Sequence, residues 1–195
     1  MSRGSHFSKI LAIDCETSGM AFGDDPSDGY QMVSIGLIVS DVTTYAEIDS
    51  LYLEIKWNGE SQWNVKAEEI HGLSKEYLEE NGIDEEEATI LIVEFIMKHF
   101  DINSAITLLG HNVVSFDKPF FKALLRKFDI KLKISHRALD SFPVGLLAVG
   151  AFDSDELFEK IGFPPRKEHN ALEDIRYTLK SYRILNKIFR NCIDG

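Results

Sequence analysis

Short apolar runs in the first third of the chain predict three β-strands. Lys9–Ile13 is an apolar run that stops at Asp14, as expected of a buried strand that ends at the edge of a sheet. Val33–Val39 and Ser50–Ile55 have a composition typical of strands, and the second of them alternates in part between apolar and polar positions. We therefore expect the chain to open with a meander of three strands.

The rest of the chain alternates between helical and strand patterns. Residues 57–82 show no clear period, apart from one or two helical turns at 75–80. Asp84 and Glu87 have the spacing of a capping pair, and apolar positions then recur at helical intervals as far as His99. Further segments follow: a strand at Ile106–Gly110, a helix containing Phe120–Phe128, helical segments through Ala151 and near Glu156–Ile161, and a final helix from Ala171. Strands that give way to alternating strands and helices predict an α/β fold, in which helices flank a mixed sheet.

The length of 195 residues fits one domain with a single apolar core. We place this domain at residues 8–190. Ser2–His6 is typical of a vector-derived sequence, so residues 1–7 are expected to be vector-derived or disordered. Two cysteines, Cys15 and Cys192, are too few for a disulfide framework, and Cys15 is expected to be a buried thiol within a strand.

The sequence shows neither a membrane segment nor a secretory signal. No apolar run approaches the roughly 20 residues of a membrane span, and the polar start lacks an apolar signal core. The expected location is cytoplasmic, with no membrane partner. The net charge of −11 argues against a protein that coats nucleic acid through a broad basic surface. Phosphate binding is still allowed, because divalent cations held by clustered carboxylates reverse the local charge.

Two carboxylates lie at the end of the first predicted strand. Asp14 and Glu16 are two residues apart, so both side chains point to the same face of the strand. A charged strand end that simply faces solvent is the alternative explanation. The small residues Thr17, Ser18 and Gly19 favour a ligand site, because they would let a ligand approach the backbone closely.

A third carboxylate lies where the strand Ile106–Gly110 leads into a helix. Pro119 is tolerated only in the first turn of a helix, which places Asp117 in that turn. Asp117 then shares a helix face with Phe121 and Leu124, so its carboxylate points inward and needs a partner. The alternative is an acidic residue that is favoured by the helix dipole alone.

His169 and Asp174 flank the start of the last predicted helix. Asn170 and Glu173 have the spacing of a capping box with Asn170 as the N-cap, so His169 precedes the helix. Within one helix, a five-residue separation would splay the two side chains by about 140°. A histidine on the preceding loop is instead free to approach Asp174. Taken alone, His169 is more typical of a structural histidine.

Carboxylates and a histidine in this combination suit phosphodiester hydrolysis. The reaction requires an activated water, neutralised phosphate oxygens and a stabilised leaving oxygen, and two divalent ions about 4 Å apart provide all three. Oxygen ligands without cysteine favour Mg²⁺ or Mn²⁺. A histidine that titrates near neutral pH can take the proton from the water. We therefore expect two divalent cations as cofactors.

The order and spacing of these motifs resemble the DEDD exonucleases of the ribonuclease-H-like superfamily, in the DEDDh subgroup with a histidine in its third motif. Ile13–Met20, His111–Asp117 and His169–Asp174 are similar to the three motifs, the first of them to that of the proofreading exonuclease subunit of bacterial polymerase III. His71–Ser74 resembles a loop that approaches the substrate in those enzymes. The resemblance spans roughly residues 8–185 and implies a five-stranded ribonuclease-H-like sheet.

The resemblance also implies roles for these residues. Asp14 would bridge two metal ions, Glu16 and Asp174 would complete one metal site, and Asp117 would hold the second ion. His169 would be the general base. Contacts with the terminal nucleotide are implied for Thr17 with its neighbours Ser18 and Gly19, and for His71, Asn112 and Phe116.

The implied activity is a 3′→5′ exonuclease that acts on single-stranded ends, on DNA rather than RNA, and releases nucleoside 5′-monophosphates. The chain ends soon after its last predicted helix, without the polymerase-binding tail of proofreading subunits. A stand-alone enzyme is therefore expected, a polymerase partner is not indicated, and the oligomeric state is left open.

Three alternatives to this activity remain at the level of sequence. An exoribonuclease or oligoribonuclease would use the same residues, a catalytically silent nucleic-acid-binding module would keep the fold, and an acidic structural protein would only expose its charges. The acidic loop 20–31 has no assigned role. Neither have Trp57 and Trp63, for which packing in the protein is expected rather than base stacking.

Overall fold

Within residues 8–166 and 169–194, which the computed structural model describes, a five-stranded mixed sheet forms the centre of the fold. Its strands are β1 (Lys9–Thr17), β2 (Met32–Asp41), β3 (Glu47–Glu54), β4 (Ile106–Gly110) and β5 (Ile134–Asp140). In the order β3-β2-β1-β4-β5, the first three strands form an antiparallel meander, and β4 and β5 run parallel to β1. The expected meander and the five-stranded mixed sheet are confirmed.

Helices cover both faces of the sheet. They are α1 (Val65–His71), α2 (Lys75–Asn81), α3 (Glu85–His99), α4 (Asp117–Lys127), α5 (Ser141–Val149), α6 (Ser154–Lys160) and α7 (Ala171–Asp194). On one face, α3 and α4 contribute Ile92 and Phe121 to the larger core. On the other face, α7 packs through Ile175 and Leu179. The expected α/β layers are confirmed, with helices on either side of the sheet.

The central position of β1 follows from its apolar residues on both faces. Leu11 and Ile13 point into the core shared with α3 and α4, whereas Ile10 and Ala12 point into the core shared with α7. This pattern is typical of a strand that is buried on both sides. Because β1, β4 and β5 are parallel, their carboxyl ends meet at one edge of the sheet, where ligands bind in folds of this type.

Two elements lack an apolar pattern in the sequence. β5 is an edge strand whose side chains are half-buried or exposed, so its residues need not alternate. α1 lies in the segment 57–82 and is fixed at its ends: the Asn64 side chain accepts from the Lys66 N–H at 3.0 Å, and Gly72 adopts a left-handed φ of 71°. Local capping, rather than an apolar stripe, defines this short helix.

The remaining expectations concern caps, cysteines and termini. Asp84 is the N-cap residue of α3, but its side chain makes no capping hydrogen bond, which corrects the predicted capping pair. Cys15 is a free and buried thiol. Residues 1–7 and the Cys192 side chain lie outside the described part of the chain. In that part, no helix combines the length and apolar composition needed to cross a membrane.

Candidate active site

β1 holds two carboxylates on one side of the sheet edge. Asp14 and Glu16 are half-buried, while Cys15 between them is buried in the core. The alternation expected at this strand end is therefore confirmed. Gly36 of β2 lies opposite Asp14, and a Cβ added at Gly36 would lie 2.5 Å from the Ala171 backbone. Glycine at this position lets the start of α7 approach the two carboxylates closely.

Asp117 reaches the same place from the start of α4. The Cys15 backbone N–H donates to Asp117 Oδ1 at 2.9 Å, which ties the third carboxylate to the strand between the first two. Asp117 is the first residue of α4 and only 1% exposed, as its spacing from the apolar stripe predicted. Its Oδ2 atom has no hydrogen-bond partner among the described residues. A buried carboxylate oxygen in this state is costly, and a cation would satisfy it.

The start of α7 supplies Asp174 and His169. Asn170 Oδ1 accepts from the Glu173 N–H at 3.1 Å, which confirms Asn170 as the N-cap and places His169 before the helix. His169 Nδ1 lies 3.4 Å from Asp174 Oδ2. The His169 backbone N–H donates to Ile70 O at 3.2 Å, so α1 fixes the loop that carries the histidine.

A cavity of about 160 Å³ opens where these residues meet. Ligand atoms of Glu16, His169 and Asp174 all lie within 4.8 Å of one another, a spacing compatible with a shared metal ion. The structure thus brings together all five residues predicted to be catalytic. The lining also includes His111, Asn112, Phe116, Ser154, Phe158 and Arg166.

Burial and mutual repulsion raise the pKa values of these carboxyl groups. Burial, followed by the charges of Asp174 and Asp117, raises the pKa of Glu16 to about 8. Burial also raises the pKa of Asp117 to about 7, against the opposing effect of the hydrogen bonds it accepts. The pKa of Asp14 is raised well above its ordinary value by burial and then by its charged neighbours. Such a cluster is stabilised by protons or by cations.

These properties fit divalent cations. Hard cations such as Mg²⁺ prefer oxygen ligands, and the four carboxylates supply them at one cavity. Burial, together with the charge of Asp117, raises the pKa of the Cys15 thiol, so this sulfur stays protonated and is a poor ligand. The donor set therefore agrees with the expected Mg²⁺ or Mn²⁺.

Of the residues predicted to contact the nucleotide, Asn112 and Phe116 line the cavity. Asn112 has a positive φ of 54°, and its N–H donates to Asp140 Oδ1 at 2.8 Å, which fixes the turn before α4. His71 does not line the cavity: it is 4% exposed, and its Nδ1 atom accepts from the Leu73 N–H.

Thr17, Ser18 and Gly19 are buried by neighbouring segments. Ser18 O accepts from the Asn64 N–H at 2.7 Å, and a Cβ added at Gly19 would lie 2.4 Å from the Tyr30 ring. The small size of Gly19 is thus explained by packing within the protein. Their contact with a nucleotide stays a prediction.

Arg166 is a candidate functional residue that sequence reasoning missed. Its Nη1 atom lies 2.7 Å from Asp174 Oδ1, and its Nη2 atom lies 2.5 Å from Asp155 Oδ1. The segment after Pro164 has no periodicity, and these contacts exist only once α6 and α7 come together. The only signal in the sequence is the position of Arg166 three residues before His169.

The features without an assigned role are ordered by local contacts. Packing within the protein was expected for Trp57 and Trp63, but both side chains are only half-buried. The centres of their rings lie 6.1 Å apart, and the rings meet edge to face. Lys75 Nζ lies 4.0 Å from the Trp57 ring centre. In the acidic loop, Asp25 lies 3.5 Å from Arg126 of α4.

A family model described as exonuclease matches residues 11–182, which is most of the chain. The chain therefore belongs to this exonuclease family, and the DEDD exonuclease resemblance is confirmed at that level. No curated protein sequence matches the chain.

Solved structures of E. coli exonuclease I are similar in fold. The zinc-bound form in complex with single-stranded DNA has a TM-score of 0.76 at 15% identity, over 93% of this chain and 41% of that one. The complex with a dT13 oligonucleotide has a TM-score of 0.77 at 15% identity, over 96% and 43% respectively. The chain thus spans about two fifths of the length of these proteins. The expected ribonuclease-H-like fold is confirmed.

Proposed function

We propose that residues 8–190 act as one exonuclease domain of the DEDDh subgroup, which removes nucleotides from single-stranded 3′ ends and releases nucleoside 5′-monophosphates. The proposal takes DNA as the preferred substrate. One observation carries it: Asp14, Glu16, Asp117, Asp174 and His169 line a single cavity at the carboxyl edge of the sheet.

The four carboxylates would hold two divalent cations, Mg²⁺ or Mn²⁺. When bound, such ions neutralise charge on the phosphate and activate the attacking water and the leaving oxygen. Asp14 has all three other carboxylates among its charged neighbours, which supports its role as the shared ligand. Asp117 offers its unpartnered Oδ2 atom from the side of α4.

His169 would accept the proton from the attacking water. Its side chain is 31% exposed at the cavity, so its ring meets both the carboxylates and the solvent. Nδ1 lies 3.4 Å from Asp174 Oδ2, and Nε2 lies 3.9 Å from Asp155 Oδ2. A proton held on Nδ1 would let Nε2 act as the base. The bond from the His169 N–H to Ile70 O limits movement of the loop, so the base is positioned in advance.

The size and place of the cavity support a single-stranded end as the substrate. A cavity of about 160 Å³ at a sheet edge would admit a frayed terminus more readily than a base stacked within a duplex. Asn112 and Phe116 line this cavity and would contact the terminal nucleotide. The complexes of E. coli exonuclease I with single-stranded DNA have the same fold, which supports this class of substrate.

The test compares the parent protein with Asp14→Asn, Asp174→Asn and His169→Gln on 3′- and 5′-labelled single strands in Mg²⁺. Loss of either ligand is expected to lower kcat/KM at least about 100-fold, since even residues behind a metal ligand cost 10–100-fold. His169→Gln is expected to lower kcat by roughly 10²–10⁴-fold. Asp129→Asn, at an exposed position distant in sequence from the motifs, is the matched control and should keep parent activity. Equal activity of all the variants would reject the site.

Parallel assays on DNA and RNA strands of one sequence decide the substrate. Faster shortening of DNA from the 3′ end, with mononucleotide products, supports the proposal. A strong preference for RNA would replace it with an exoribonuclease that uses the same site. Absence of cleavage on both, with retained binding of single strands, would indicate a silent binding module.

A further inference from the structure

Arg166 occupies the carboxylate cluster as an internal cation. Its side chain is only 6% exposed, and it is the only lysine or arginine among the described residues that line the cavity. The attraction between Arg166 and Asp174 is therefore little weakened by solvent, unlike that of a surface ion pair.

Both oxygens of Asp174 are engaged by protein groups. Oδ1 lies 2.7 Å from Arg166 Nη1, and Oδ2 lies 3.4 Å from His169 Nδ1. An Asp174 that ligates a divalent ion has to give up at least one of these contacts. Arg166 is the contact that competes with a metal ion most directly, because it carries the same sign of charge.

Arg166 has other partners that hold its guanidinium group near the cavity. Nε and Nη2 donate to Asp155 Oδ1 at 3.0 and 2.5 Å, and Nη2 donates to Ser154 Oγ at 2.9 Å. The guanidinium carbon also lies 4.8 Å from the centre of the Phe158 ring. Only the Nη1 contact must break for the Oδ1 atom of Asp174 to become free, so exchange requires a small movement.

We propose that Arg166 is a tethered counter-cation of the metal site: it neutralises Asp174 in the metal-free protein, and it yields that carboxylate when divalent ions bind. The inference rests on the proposed two-ion site and adds a control on its occupancy. Arg166 would stabilise the metal-free fold and at the same time raise the metal concentration that the enzyme requires.

The test uses metal binding and thermal unfolding, so it needs no nucleic acid. Arg166→Met keeps the length of the side chain but removes the charge, and Arg166→Lys keeps the charge but not the planar fork. Arg183→Met is the matched control: Arg183 lies on α7 and donates to Tyr45 O, at the opposite end of the sheet from the cavity. Mn²⁺ affinity is measured by calorimetry, and the melting temperature is measured in EDTA and in saturating Mn²⁺.

Arg166→Met is expected to bind Mn²⁺ about tenfold tighter than the parent, equivalent to about 1.4 kcal/mol. In EDTA, it should also melt at a lower temperature than the parent. Saturating Mn²⁺ should raise its melting temperature by more than it raises that of the parent. The Mn²⁺ affinity and the melting temperatures of Arg166→Lys should lie between those of the parent and of Arg166→Met. If Arg166→Met does not fold, Arg166→Lys takes its place in the comparison. Arg183→Met should bind Mn²⁺ as the parent does.

Unchanged or weaker Mn²⁺ binding by both Arg166 variants would overturn the inference, because a residue that only braces Asp174 would lower affinity when removed. The nuclease proposal would then still stand on the activity of the parent protein. If the parent itself bound no Mn²⁺, the two-ion site would fall together with this inference.

Discussion

Four carboxyl groups crowded around one cavity make folding itself sensitive to pH. The ordinary pKa of a glutamate is 4.5, while burial raises that of Glu16 to about 8. Burial raises the pKa of Asp117 in the same way, to about 7. Between the ordinary and the raised values, these two groups bind more protons in the folded chain than in the unfolded chain. Their contribution to the free energy of unfolding in the absence of metal therefore falls as the pH rises through this window.

Glu16→Gln is expected to weaken that pH dependence. In EDTA, the melting temperature of the parent should fall between about pH 5 and about pH 8, and the variant should show a smaller fall and a higher melting temperature at the upper end. Glu94→Gln, at an exposed position of α3, is the control, and its melting temperature should depend on pH as that of the parent does. Circular dichroism melts at several pH values check this, and equal slopes in parent and Glu16→Gln would contradict it.

The residues of the candidate site differ in how far sequence could predict them. Strand alternation placed Asp14 and Glu16 on one face, and the N-cap at Asn170 placed His169 before its helix, because both follow from local backbone geometry. Arg166 could not be found in this way, since its partners belong to other segments and no period marks it.

Among the elements, the start of α7 is positioned by its close approach to β2. A Cβ at Gly36 would lie 2.5 Å from backbone atoms of Ala171 and Leu172, and backbone atoms cannot turn aside as a side chain can. The first turn of α7 carries Asp174 and begins two residues after His169. A methyl group at Gly36 would therefore displace two site residues at once.

Gly36→Ala is expected to destabilise the fold by about 1–3 kcal/mol, as overpacking does. It should also lower kcat by about 100-fold at temperatures where the protein remains folded, because a shift of about 1 Å in a catalytic group has that effect. Gly145→Ala is the control, since the atoms nearest to its added methyl group belong to the flexible Leu157 side chain, at 3.1 Å and beyond. Denaturant unfolding and initial rates measure the two effects. A Gly36→Ala enzyme with parent kcat would show that α7 need not sit this close.

Helices and strands could be predicted where their packing requires apolar residues at regular intervals in the sequence. α3, α4 and α7 each pack one apolar stripe on the sheet, and β1 is apolar on both faces. β5 was implied only by the family resemblance, because its edge position relaxes the alternation. α1 escaped prediction because seven residues with two capping groups leave too short a pattern.

For the molecule as a whole, the net charge of −11 opposes the approach of a polyanionic substrate. This repulsion acts over long distances, and salt screens it beyond about 10 Å at 0.1 M ionic strength. Cations held by the proposed site would act at contact and would be screened less. The salt response should therefore have the opposite sign to that of basic nucleic-acid-binding proteins.

At fixed saturating Mg²⁺, kcat/KM for a single-stranded oligonucleotide is expected to rise as KCl increases from about 10 to about 100 mM. A singly charged p-nitrophenyl ester of thymidine 5′-monophosphate should respond much less, because long-range repulsion scales with the charge of the substrate. Steady-state rates on both substrates give the comparison. If kcat/KM for the oligonucleotide instead fell steeply as KCl increased, a basic surface that binds the strand would outweigh the net charge.

The seven-residue helix α1 joins two parts of the chain that lie far apart in sequence. Just before it, Asn64 bonds to Ser18, directly after β1; near its end, Ile70 bonds to His169. This short helix thus connects the strand that bears Asp14 and Glu16 to the loop that bears His169. Fraying of a single turn would let His169 move away from Asp14 and Glu16 without any change to the site residues themselves, so the segment with the weakest sequence pattern would control how well the site stays assembled.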